Sequence, residues 1–399
     1  MKESTYVSKR KLIKICFLSC LFLLSSCNGT TSVSTSPSSS YNPSSNLKDI
    51  YRDYFDIGGA IQYQSIDSGK YEDLLPHFSS LTPENDMKWK NLEADKGVLT
   101  YENPDKIVSY ARTNGKKVRG HCLLWHKSLP TWIKGECTDK KAALSLIDSH
   151  VKSTMQHFGS DVYCYDVVNE ALHNSVTTYQ LNQNDIYRAG SSEISGSDTM
   201  DWYSLCGVDY LKQAFSSASE AKALYGLNDT KLYYNDYSLN NPNKREACVR
   251  LVKMLQNDGI EIDGVGMQCH YRLPDYEEDK EAFLTNFEDS IKVFTSLGID
   301  VQITELDIRL YKNSSDASMF DSLPLEYEQR QGELYGKLFE ICRKYSLPWT
   351  SGAGVVNSVS TWGIADDHNA MNTSSHKEFP LIFSTNHKNK KAYYEITDF

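Results

Sequence analysis

Two glutamates that follow apolar runs are the residues best placed to do chemistry in this chain. Val167-Val168 leads into Asn169-Glu170, and Ile303-Thr304 leads into Glu305-Leu306-Asp307. Two carboxyl groups in different surroundings can divide labour, one holding its proton as an acid and one staying ionised. Cleavage of a glycosidic bond uses such a pair. One group protonates the leaving oxygen, and the other attacks the anomeric carbon or activates water. A separation of about 5–5.5 Å gives retention and about 6.5–9.5 Å gives inversion. Taken alone, the same pair fits structural carboxylates bridged to Arg119 or Lys88 equally well. Four more apolar runs end in polar groups. Val265-Gly266-Met267 leads to Gln268-Cys269-His270, and Val118-Arg119-Gly120 to His121, with Trp125-His126 beyond. Residues 232–234 lead to Asn235-Asp236, and Leu81-Thr82 to Pro83-Glu84-Asn85, then Lys88-Trp89.

The elements that must position these groups alternate. Short apolar runs at 55–61, 78–81, 118–125, 162–168, 231–234, 262–268, 301–306 and 355–362 read as strands. Between them, 104–113, 142–158, 208–225, 244–256, 279–297 and 325–345 carry apolar residues three and four apart and read as helices. Eight runs alternating with helices predict a single α/β domain over 47–399, a (β/α)8 TIM barrel, with a doubly wound sheet as the rival. In a barrel the C-terminal strand ends share one rim, where barrels do chemistry. Gly58-Gly59 and Gly352–Gly354 lack the spacing and the lysine of a phosphate loop, so no nucleotide cofactor is expected.

The N-terminus reads as an address. Lys9, Arg10, Lys11 and Lys14 precede an apolar run at 15–24, too short to span a bilayer, and the run closes on Leu24-Ser25-Ser26-Cys27. This resembles a bacterial lipobox, which implies cleavage after residue 26 and lipidation of Cys27. An ordinary secretory signal is the alternative. Residues 28–46, nearly all Ser, Thr, Asn, Gly and Pro, form a tether with a reach of about 25 Å. The chain's net charge of −10 becomes −14 once 1–26, with five cations and one anion, is removed. That balance argues against a nucleic-acid partner. Seven cysteines remain beyond Cys27, an odd number with no CxxC or CxxH spacing, so no zinc site is expected and at least one thiol stays unpaired within the chain. Cys122, Cys164 and Cys269 read as buried thiols, and whether a disulfide forms, and between which cysteines, stays open.

Together, Tyr165-Asp166-Val167-Val168-Asn169-Glu170 and Ile303-Thr304-Glu305-Leu306-Asp307 resemble the acid/base and nucleophile signatures of glycoside hydrolase family 10, the endo-β-1,4-xylanases. The likeness extends to residues 82–89, Arg119-Gly120-His121, Trp125-His126, Tyr234-Asn235-Asp236-Tyr237, Gln268, His270 and Thr361-Trp362-Gly363, in family order. It implies a retaining mechanism with Glu170 as acid/base and Glu305 as nucleophile. Asn169 would bind the sugar 2-hydroxyl, and His270 would bond Glu305 and be oriented by Asp307. Glu84, Asn85 and Lys88 would bind the non-reducing side. His121 and Gln268 would line the cleavage subsite, Trp125 and Trp362 would wall it, and Tyr237 would stack on the leaving-group side. Xylan or xylo-oligosaccharide is the implied substrate, without metal or cofactor, for a monomer tied to a membrane surface only through its lipid.

The chain departs from the family in three places. Ala370 stands where a second tryptophan closes the cleavage subsite, Ser128 where a glutamine usually stands, and 173–199 is long and polar, predicting a mobile loop. The first departure leaves open a related retaining glycanase acting on mixed or glucose-based glycans. A non-catalytic glycan-capture lipoprotein is a further reading, disfavoured by the presence of both glutamates.

Overall fold

The computed structural model describes residues 45–313, 320–347, 354–367, 372 and 376–399. The signal segment, Cys27, all but the last residues of the tether, and Ala370 lie outside the described residues.

Eight parallel strands close into a barrel: β1 (Asp56–Ile61), β2 (Ser80–Pro83), β3 (Lys117–Gly120), β4 (Val162–Asn169), β5 (Lys231–Asp236), β6 (Gly264–Met267), β7 (Asp300–Arg309) and β8 (Val356–Thr361). Neighbours in sequence are neighbours in space, and β8 closes the ring by pairing with both β1 (Asp56 against Ser358) and β7 (Val356 against Val301). The main helices are α1 (Glu102–Thr113), α2 (Lys140–Phe158), α3 (Asp209–Tyr225), α4 (Pro242–Asn257), α5 (Lys280–Ser296) and α6 (Leu325–Lys344). In α2, the buried Ala143, Ile147, Val151, Thr154, Met155 and Phe158 fall three and four apart and form one face. The Asp139 carboxylate caps its start by accepting from the Ala142 amide at 2.9 Å, and Asp279 does the same for α5 from Ala282.

Two expectations change in detail. The run 118–125 is not one strand: β3 stops at Gly120, and a two-residue strand, Leu124–Trp125, resumes alongside β4 (Leu124 against Val168). The interruption releases His121 from the sheet, and its Nδ1 lies 2.7 Å from the Asp166 carboxylate. Residues 173–199 are not an open loop. They contain a helix, Thr178–Gln183, closed by a reciprocal capping box between Thr177 and Gln180. His173 holds Glu193 at 3.0 Å, and the Arg188 Nε donates to the Glu170 carbonyl at 3.0 Å. All seven cysteines of the barrel domain are buried and unpaired.

The barrel axis is polar. Arg119, fully buried, bonds Asp166 with one arm, while its Nε donates to Gln302 at 3.3 Å. Neither charge would be tolerated there alone, since an unpaired buried ion carries a large desolvation penalty. The Arg119 charge is also felt at Glu305, whose carboxyl it lowers.

Candidate active site

Glu170 is the first residue past β4 and takes a left-handed backbone, φ 55°. A non-glycine residue holds that conformation when its surroundings fix it. Here its amide donates to the Asn235 carbonyl at 2.8 Å, and Arg188 grips its own carbonyl. Cys269 (φ 60°) and Ser238 (φ 55°) turn the chain in the same way past β6 and β5. The left-handed turn at Cys269 is followed by a short strand, His270–Arg272, which pairs in parallel with the outer half of β7. Its register sets His270 against Asp307 and Arg272 against Arg309. Glu305, Asp307 and Arg309 alternate onto one face of β7, so the His270 ring lies between the two carboxylates.

The two glutamates are joined by a continuous amide bridge. The Gln268 Nε2 donates to Glu170 Oε1 at 3.1 Å and to Asn169 Oδ1 at 3.3 Å. The Asn235 Nδ2 donates to Asn169 Oδ1 at 2.9 Å and to Glu305 Oε1 at 2.8 Å. Thr304 in turn donates to Asn235 Oδ1 at 2.7 Å. Gly266 leaves room for this bridge: a Cβ there would fall 2.3 Å from Asn235 Oδ1. With its oxygen occupied twice, Asn169 keeps a free amide N–H₂ among the described residues, a donor at the place where both carboxylates face. Neither glutamate is tied up in an ion pair with Arg119 or Lys88, so the reading of them as structural carboxylates is set aside.

Electrostatics fix the state of Glu305. Burial pushes Glu305 up, but the His270 hydrogen bond and the surrounding positive charges, Arg119 among them, bring it down to about 2. The His270 Nε2 lies 3.0 Å from Glu305 Oε2 and its Nδ1 2.5 Å from Asp307 Oδ2. Burial lowers the imidazole, yet the charge of Asp307 and the bonds to both carboxylates raise it to about 10. At neutral pH His270 is thus an imidazolium held between the Asp307 and Glu305 side chains, and Glu305 is an ionised, oriented carboxylate. Glu170 instead receives the Trp125 indole N–H at 3.1 Å on its second oxygen.

The residues singled out in the sequence converge on one cleft of about 510 Å³. His121, Trp125, Asn169, Glu170, Tyr237, Gln268, His270, Glu305 and Trp362 all line it. Trp362 stands edge-on to the His121 ring at 5.3 Å and to His270 at 6.3 Å. Of the three residues after β2, Lys88 reaches the wall, its Nζ 5.3 Å from the Trp125 ring. Asn85 stands behind and accepts from that Nζ at 2.8 Å, and Glu84 accepts from Asn85 at 3.3 Å and Gln62 at 3.1 Å. Tyr237 is fixed by Arg188, which donates to its hydroxyl at 2.8 Å, and by the Lys244 ammonium 3.5 Å from its ring. Ser128 takes a left-handed backbone and its carbonyl accepts from Lys90 at 2.9 Å.

Sequence reasoning missed Asn235 as the link to Glu305, Arg188 as the brace for Glu170 and Tyr237, and Arg272 on the cleft wall. Asn235 had a signal, since it ends an apolar run as the glutamates do. Arg188 had none, because it lies inside a polar stretch whose folding was not evident.

The chain matches the sequence profile of Glycosyl hydrolase family 10 over residues 46–399. It is 38% identical over 357 residues to a Beta-1,4-xylanase of Dictyoglomus thermophilum, covering 88% of this chain and 90% of that one. It is 32% identical to Endo-1,4-beta-xylanase A of Caldicellulosiruptor saccharolyticus, covering 88% and 95%. Among solved structures, the endo-1,4-beta-xylanase of Caldicellulosiruptor owensensis superposes with a TM-score of 0.75 at 30% identity, covering 89% of this chain and 99% of that one. A mutant protein solved in complex with xylotriose superposes at 0.76, also at 30% identity, covering 89% and 100%. With both fold and sequence matched along nearly the whole barrel, the chain belongs to glycosyl hydrolase family 10.

Proposed function

We propose that the protein is a retaining endo-β-1,4-xylanase that cuts internal bonds of xylan by double displacement, acting as a single chain. The observation that carries this reading is the amide bridge from Glu170 through Gln268, Asn169 and Asn235 to Glu305, which sets two glutamates on the wall of one cleft. The names of the matched relatives, and the xylotriose bound to a neighbour of the same fold, support xylose as the sugar.

In the first displacement the Glu305 carboxylate attacks the anomeric carbon. Glu170 gives its proton to the departing glycosidic oxygen, and a glycosyl ester forms on Glu305. In the second, the ionised Glu170 takes a proton from water. The water oxygen attacks the same carbon and Glu305 leaves. Two inversions give net retention. The free amide of Asn169 donates to the sugar 2-hydroxyl, a bond that strengthens as the ring gains oxocarbenium character. Trp125 and Trp362 offer flat apolar faces to the C–H surfaces of the sugar.

Comparing xylan, carboxymethylcellulose and β-glucan tests the substrate class, and proton NMR of the first product tests the stereochemistry. Xylan cleavage giving β-anomers is expected. Cleavage of the glucans alone, or an α-anomer, would overturn the reading.

The His270 trio gives a pH prediction. Glu305 contributes stability that is complete above its ordinary value of 4.5 and lost as pH falls through 2. His270 contributes stability that is complete below 6.5 and lost as pH rises through 10. His270→Gln removes the positive partner, so the acid limb of kcat/KM on an activated aryl xyloside should move up by about one unit or more. An unmoved limb would show that His270 does not hold the nucleophile ionised.

The N-terminal segment supports a second part of the proposal, that export and lipidation at Cys27 tether the barrel to the outer face of a bacterial membrane. Cys27→Ser should leave the protein unlabelled by a radioactive fatty acid fed to the producing cells. Equal labelling of the variant would refute the anchor.

A further inference from the structure

The chain carries a net charge of −10, yet the wall of its cleft is lined by cations: Lys88, Lys127, Arg272 and Arg309. Three of them are accounted for within the protein. Lys88 bonds Asn85, Lys127 lies 5.8 Å from the Trp125 ring, and Arg309 pairs with Asp307 at 3.0 Å. Arg272 is different. It is half-buried, and among the described residues its guanidinium makes no hydrogen bond, ion pair or ring contact.

Its position is also set against charge. The register that aligns His270 with Asp307 aligns Arg272 with Arg309, so two arginines are paired on adjacent strands. Like charges directly opposite one another destabilise a sheet. Along this strip the cations His270, Arg272 and Arg309 face the carboxylates Glu305 and Asp307, and Asp307 is already shared by His270 and Arg309. One positive charge is left over at the cleft surface. Arg272 lines both the catalytic cleft and an adjoining pocket of about 330 Å³. That pocket shares Ser238 and His270 with the cleft, includes Asn174, and lacks Lys88 and Trp125, which places it on the Tyr237 side of the glutamates. Asp275 lies on its wall, exposed, and among the described residues it makes no ion pair with Arg272.

A backbone of xylose alone offers a guanidinium only neutral hydroxyls, which match its fork and charge poorly. A carboxylate matches both, and charge-assisted bonds are roughly twice as strong as neutral ones. Building on the proposed hydrolase activity, we infer that the cleft recognises a carboxylate carried by its glycan, a uronic acid side residue on the leaving-group portion of the chain, through Arg272. The protein then favours acid-substituted xylan and releases the acidic residue on the fragment that departs.

The test uses three oligosaccharides of one backbone: unsubstituted, bearing one glucuronic acid side residue, and the same with its carboxyl reduced to the alcohol. For the full chain, kcat/KM on the acid should exceed that on the alcohol by roughly tenfold at low salt. The ratio should shrink in high salt. Arg272→Met should bring it to within about twofold of one, and Arg272→Lys should restore part of it. Because the ratio compares two substrates of one variant, a general loss of activity or of folded protein cancels. A wild-type ratio near one, or a ratio that survives Arg272→Met, would overturn the role of Arg272. Failure to cut even the unsubstituted chain would instead contradict the hydrolase reading on which this one rests.

Discussion

Glu305→Ala is expected to lower xylan turnover by at least about 10⁴-fold, the scale seen when a nucleophile is removed from a preorganised site. The loss should be as deep on aryl xylosides with excellent leaving groups, because bond formation at the anomeric carbon fails whatever departs. The variant should still bind xylo-oligosaccharides, since the Asn169 amide, His121 and both tryptophans remain on the wall. Removing the carboxylate also leaves Asn235 and His270 each without one partner, so a thermal melt should accompany the kinetics. Turnover within tenfold of the parent would place the nucleophile elsewhere.

Glu170→Ala separates the two displacements. Xylan should suffer a loss of about 10²–10⁴-fold, because its departing sugar hydroxyl needs a proton. An activated aryl xyloside needs none, so its first displacement should proceed at near the parent rate. Water would then lack a base, and the glycosyl-enzyme should accumulate, seen as a burst of phenolate followed by slow turnover. Azide, a nucleophile that requires no deprotonation, should speed that second phase and give a β-glycosyl azide. Equal losses on xylan and on the activated substrate would assign Glu170 another role.

These roles follow from features that were unequally visible in the sequence. The barrel was legible because strands and helices differ in apolar period. The eight runs at 55–61 through 355–362 map onto β1 to β8, with boundaries shifted by a few residues. Glu170 and Glu305 were legible because each ends or interrupts an apolar strand, where an unpaired carboxylate is costly unless it works. The break in 118–125 was hidden, because Cys122, Leu123 and Leu124 continue the apolar pattern although the chain leaves the sheet at His121. The folding of 173–199 was hidden for the opposite reason. Its order rests on polar links, His173 to Glu193 and Arg188 to the Glu170 carbonyl, which leave no periodic signature. Arg272 was invisible as a cleft residue because its direction depends on register, fixed only when the short strand after Cys269 aligns with β7. What each carboxylate does was likewise not in the glutamates themselves. It lies in His270, kept charged by Asp307, and in Arg119, which hold Glu305 ionised from two other elements of the fold.

The most direct measurement is to trap the covalent species. A 2-deoxy-2-fluoro-xylobiosyl fluoride slows both displacements, because fluorine destabilises the oxocarbenium-like transition state, while the good leaving group lets the first proceed. Peptide mass spectrometry of the inactivated protein should find one fluoro-xylobiosyl group, esterified to Glu305. A label on any other carboxylate, or turnover of xylan to α-anomers with no label at all, would contradict the account.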